Sequence, residues 1–234
     1  MSAPRTSPVR LRVDGGQPPT PETVAAVAAL CDGAEEPGGH GPVVVELSGT
    51  PAGCWTDGLT VGLVSKWERV LRRLERLPTT TIAVADGDCG GTALDVLLVT
   101  DLRIATPSLR LVPPVTDGAT WPGMALHRLV QQTSGTAAVR RAVLHGTPLD
   151  AARALALHLV DEVTDDPSAA VAAAGYTAAF TGSELAIRRQ LLLDARTVPF
   201  EEALGAHLAA CDRALRRASA GAAAEGTGAP EATA

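Results

Sequence analysis

Four aspartates and three glycines sit inside one apolar stretch, TIAVADGDCGGTALDVLLVTDLRIA, residues 81–105. An apolar strand runs into a turn holding Asp86, Gly87, Asp88, Gly90 and Gly91, and a helix bearing Asp95 follows. Strand, glycine turn and helix form a frame that points backbone N–H groups at something negative. Phosphate is the first candidate. However, the glycine spacing does not match G-x-G-x-x-G, and Lys66, the single lysine, is too distant to complete a phosphate loop. The second candidate is an oxyanion that develops during a reaction. Each backbone donor aimed at one is worth about 3 kcal/mol in the transition state. Asp95 is an acid of the first helical turn, a place the macrodipole favours. Asp86 and Asp88 are turn aspartates that bond their own backbone, with Asp88 a reserve proton carrier. Asp101 closes the helix before the next strand.

No metal is expected. His40, His127, His145, His158 and His207 show no ligand spacing, and Cys31, Cys54, Cys89 and Cys211 form no CxxC pair. Reduced cysteines, no basic-then-apolar leader and no apolar run near the ~20 residues of a membrane span imply a cytoplasmic protein with no membrane partner. A net charge of −6 argues against a nucleic-acid partner. Hydrophobic residues make up 46% and aromatics only 3%, so the core is built from Ala, Val and Leu.

The elements that position these residues alternate. VRLRVDGG reads as a strand, TPETVAAVAALCDGAEE as a capped helix, EPGGHG as a loop and PVVVEL as a buried strand. LTVGLVSKWERVLRRLERL is a helix with a basic outer face, and LRIATPSLRLVPPV is extended. AAVRRAVLHG, DAARALALHLVDEV, GSELAIRRQLLLDA and FEEALGAHLAACDRALRR are helices. The chain is therefore α/β with parallel strands and a helical end. Its expected parts are a loose tail (1–8), the core (9–165), C-terminal helices (166–218) and a low-complexity tail (219–234).

Pro78 to Ala105 resembles the signature of the crotonase (enoyl-CoA hydratase/isomerase) superfamily. That signature has an apolar strand, a glycine triplet, Leu-Glu and then Cys-Asp-Ile-Arg-Ile-Ala. The likeness continues through Gly135–Val163 and reaches back to VVVELSGTPAGCWTDG. LVSKWERVLRRLERLP, ADGDCGG, DGATWPGMA and ELAIRRQLL resemble the branch that serves 3,5-dihydroxyphenylglycine biosynthesis beside a type III polyketide synthase.

The resemblance implies the crotonase fold, with a repeated ββα spiral core and a C-terminal helical region. It implies a coenzyme A thioester as substrate, with no bound cofactor, and a homotrimer or hexamer. By position, the backbone N–H groups of Asp57 and Thr92 would be the oxyanion donors. Gly58, Gly91 and Trp121 would bind substrate, although Gly90–Thr92 could serve close packing alone and Trp121 could be core. Asp95 falls on the family's first catalytic glutamate. The second falls on Pro114 or Val115, and neither can move a proton. The branch implies dehydration of a cyclised polyketide, helped by its own aromatisation. The rival is a non-catalytic homologue that binds and activates the synthase. A serine peptidase on a related fold is excluded, since residues 86–100 contain no serine. Arg69, Arg72 and Arg73 could meet coenzyme A phosphates or form a solvated face.

Overall fold

The β-branched runs lie side by side, and the helices between them cover both faces. The computed structural model describes residues 8–36, 41–177 and 182–226. In chain order the elements are β1 (Val9–Asp14), α1 (Pro21–Glu35), β2 (Val43–Gly49), α2 (Val61–Leu74), β3 (Thr81–Gly90), α3 (Gly91–Leu97), β4 (Leu102–Ala105), β5 (Arg110–Val112), β6 (Val115–Thr116) and β7 (Ala119–Thr120). There follow α4 (Met124–Gln132), α5 (Thr136–His145), β8 (Leu149–Asp150), α6 (Ala151–Ala156), β9 (Glu162–Val163), α7 (Pro167–Thr177), α8 (Ser183–Asp194) and α9 (Phe200–Gly226).

Strands β1, β2, β3, β4 and β9 lie in that order, all parallel. Both faces are buried at the starts of β2 and β3, which is why VVV and TIA read as continuous apolar runs, while Arg10, Arg12, Glu46 and Asp86 are exposed. Val43, Val45, Leu47, Ala83 and Ala85 join the main core with α1, α2 and α3 residues. Val44, Ile82 and Ile104 face the other way, against Ala170 and Val171 of α7.

Residues 87–90, expected as a turn, remain extended. β3 passes from β4 to β5, pairing Asp88, Cys89 and Gly90 with Arg110, Leu111 and Val112. The glycines allow backbones to touch. A Cβ on Gly90 would lie 2.4 Å from Thr50 Oγ1 and 2.5 Å from the Val112 carbonyl. One on Gly91, at φ +49°, would lie 2.6 Å from Pro51 Cγ and 2.8 Å from the Gly15 carbonyl.

Other expectations shift. α6 ends at Ala156, and His158 turns the chain at φ +57°, so Glu162–Val163 forms β9 instead of prolonging the helix. The chain divides into two compact units, residues 1–182 and 183–234. α7 therefore belongs with the sheet and not with the C-terminal helices. In the second unit, Glu184 of α8 pairs with Arg213 and Arg217 of α9 at 3.1 and 2.6 Å. α9 runs to Gly226, past Ala218 where a loose tail was expected. Residues 1–7, the loop residues 37–40 and the last residues, 227–234, lie outside the described residues.

Candidate active site

Asp95 stands one turn into α3, facing a narrow cavity of about 30 Å³ that is partly open to solvent. Every tryptophan of the chain, Trp55, Trp67 and Trp121, lines that cavity. Prolines 18, 19, 51, 113 and 114 supply much of the remaining wall. A thin, rigid slot results, because tryptophan and proline bring large apolar area with few rotatable bonds.

Each wall is fixed from its own element. Trp67 is held by the apolar stripe of α2, with Val70, Leu71 and Leu74 buried on the same side. Its Nε1 donates to Asp95 Oδ2 at 2.9 Å. Trp55, in the loop after β2, donates from Nε1 to the Val115 carbonyl at 2.9 Å and meets Trp121 edge-on, with centroids 5.3 Å apart. Gly123 lets Trp121 fold back, since a Cβ there would meet the indole Nε1 at 2.7 Å. Thr92 Oγ1 lies 3.1 and 3.2 Å from the carbonyls of Asp14 and Gln17, which pins the chain leaving β1 against the cavity.

Burial pushes the Asp95 carboxyl up to about 6. The Trp67 hydrogen bond and the Arg128 charge oppose this rise, while the Glu68 charge adds to it. A carboxyl poised there exchanges its proton near neutral pH, as acid–base work requires. Behind it, Cys89 is fully buried, and burial followed by the Asp95 charge drives its thiol up to about 12. That thiol is inert.

Thr92, Gly91, Asp95 and Trp121 all line the cavity. As the second residue of α3, Thr92 has an N–H with no acceptor inside its own helix. Asp57 and Gly58 are exposed and not among the lining residues. The Asp57 N–H already donates to the Cys54 carbonyl at 3.0 Å, so in this conformation it is not offered to a ligand. Gly58, at φ +76°, shapes the same loop. Asp88 is not brought to the cavity either. It lies on the β3–β5 pairing, half-buried, 3.3 Å from Arg110. Asp86 accepts from Thr106 and Ser108, which hold its carboxyl below the ordinary range. Asp101 accepts from the Thr81 N–H and hydroxyl and fixes the start of β3. Arg73 is engaged by Asp32 and Glu35 of α1.

Pro114 is part of the wall, and Asp117 sits at φ +50° in the β6–β7 turn. A second carboxylate nevertheless reaches the cavity: Glu68 of α2, paired with Arg128 of α4 at 2.7 and 3.4 Å. The basic outer face read for α2 hid it. Its only sequence signal was its place beside Trp67, at the border of the apolar stripe. Among the described residues, no group of three His, Cys, Asp or Glu side chains could hold a metal, and no helix is long and apolar enough to cross a membrane.

No family model matches the chain. It is 59% identical over 208 residues to a protein of Amycolatopsis orientalis described as an enoyl-CoA hydratase; the match covers 88% of this chain and 95% of that one. The fold is similar to a crystal structure of an enoyl-CoA hydratase/isomerase from Marinobacter aquaeolei, with TM-score 0.76, 18% identity, and 95% and 94% of the two chains covered. It is also similar to a family protein from Silicibacter pomeroyi, with TM-score 0.73, 20% identity, and 90% and 96% covered.

Proposed function

The chain belongs to the enoyl-CoA hydratase/isomerase (crotonase) superfamily, and from that premise we propose that it is a hydro-lyase acting on an acyl-CoA thioester. The observation that carries this reading is Asp95: a carboxyl in an apolar tryptophan–proline slot, held by the Trp67 indole and raised to about 6. The Thr92 N–H receives the thioester oxygen as charge moves onto it, and Asp57 can join only if the Cys54 turn opens. Asp95 takes the proton from the carbon next to the thioester and returns it to the departing hydroxyl. The C–H and C–O bonds break, a C=C bond forms and water leaves. One carboxylate can serve both steps on one face of the substrate.

The substrate is a cyclised polyketide thioester, and the product is a 3,5-dihydroxyphenylacetyl-CoA type of ring. Aromatisation supplies the driving force that a lone acid–base group cannot. The type III polyketide synthase is the functional partner, and the working form is a homotrimer or hexamer in the cytoplasm.

A second reading, a non-catalytic activator of the synthase, is favoured by Pro114 at the second carboxylate position and by the engaged Asp57 N–H. Asp95→Asn decides between them, because the amide still accepts the Trp67 hydrogen bond. The hydro-lyase reading expects aromatic product, followed by mass spectrometry with the synthase present, to form about 10²- to 10⁴-fold more slowly. An unchanged rate establishes the activator.

A further inference from the structure

The cavity is asymmetric in its polarity. Two carboxylates line it, Asp95 and Glu68, and among the described lining residues there is no cation. The indole donors of Trp55 and Trp67 are already spent on Val115 and on Asp95. The charged groups on its walls are therefore both hydrogen-bond acceptors, set among flat apolar surfaces. A neutral ring carrying hydroxyl donors complements that pattern, whereas a carboxylate-bearing chain meets like charge. Glu68 is a fixed acceptor. Arg128, buried to 6% exposure, grips both of its oxygens and cannot swing to solvent. A carboxylate has about four lone-pair sites, so a two-point grip leaves others free for the cavity.

Resting on the acyl-thioester reading above, we propose that Glu68, fixed by Arg128, is a specificity-determining residue that accepts a hydrogen bond from a ring hydroxyl of the acyl group. Asp95 then remains free for proton transfer, and Glu68 orients the ring within the cavity. The roles are separable because the two carboxylates come from different helices.

Because all three tryptophans line the cavity, intrinsic fluorescence reports binding without turnover. The probes are (3,5-dihydroxyphenyl)acetyl-CoA and phenylacetyl-CoA, which differ only in the hydroxyls. The wild type is expected to bind the hydroxylated thioester about 10-fold more tightly, the scale of one hydrogen bond to a charged group. Glu68→Gln keeps a carbonyl for Arg128 and removes the charge. It should leave phenylacetyl-CoA affinity unchanged within about 2-fold and shrink the preference to about 3-fold or less. Should Glu68→Gln fail to fold, Glu68→Asp replaces it, retaining the Arg128 charge pair while withdrawing the acceptor by one methylene, and must lose the preference likewise. A wild type without preference overturns the proposal, as does a variant that keeps the preference or weakens both probes equally. A wild type that binds neither thioester overturns the acyl-thioester reading itself, and this proposal with it.

Discussion

The buried Asp95 carboxyl is costly to ionise. Its carboxyl rises from 3.8 to about 6 in the fold, so the folded chain holds this proton more tightly than the unfolded chain does. That contribution is fully present below pH 3.8 and is lost as pH rises through about 6. Above pH 6 the folded protein carries a buried charge costing about 3 kcal/mol. Asp95→Asn should therefore be more stable than the wild type at pH 7.5, by about 1–3 kcal/mol in denaturant titration, and the gain should vanish below pH 4. The same titration should appear in the activity: the wild-type rate is expected to rise with a midpoint near pH 6 as the base ionises, in a pH–rate profile. Asp95 was legible because it stands a fixed distance past the glycines. Glu68 was not, because its partner Arg128 is 60 residues away and only packing joins them. The Thr92 hydroxyl was invisible for the same reason, although its contacts with Asp14 and Gln17 make it more than a carrier of an N–H.

At the scale of elements, the β3–α3 junction depends on absent side chains. Gly91 combines φ +49° with Pro51 and Gly15 closer than 3 Å to any Cβ, while Gly87, at φ +63°, faces open space. Gly91→Ala should cost about 3 kcal/mol or more, from backbone strain plus overpacking. Gly87→Ala should cost only the strain, about 1–2 kcal/mol. Urea unfolding of the two variants tests the contrast, and equal losses would mean that close packing at Gly91 is not what holds the junction. The glycines were visible in the sequence, but what they approach was not, so residues 87–90 read as a turn. Periodicity found the strands β1 to β4 and the helices α1, α2 and α5, whose apolar patterns are set by neighbours along the chain. It missed β9, a two-residue strand whose existence depends on pairing with β4.

The C-terminal unit, by itself, leaves an apolar face without cover. On α9, Leu204, Leu208, Cys211 and Leu215 follow each other at helical spacing and are all exposed, Leu215 at 68%. Leu192 of α8 is 74% exposed. Burying one such leucine stabilises by about 1.5–3 kcal/mol, so a second copy of the chain that covers this face gains substantially. Among the described residues, the buried hydrophobic core lies between Val13 and Val171, inside the first unit. Assembly and folding should therefore separate. A chain ending at Gly182 is expected to fold, with native tryptophan fluorescence, as a monomer. A chain ending at Ala218 keeps the Leu204–Leu215 stripe and should assemble as the full chain does, to a trimer or hexamer. Leu208→Glu in the full chain should break the assembly and leave the fold intact. Light scattering with a parallel fluorescence melt reads both properties. A monomeric full-length protein, or one whose assembly survives Leu208→Glu, would show that this stripe is not the surface that joins the copies.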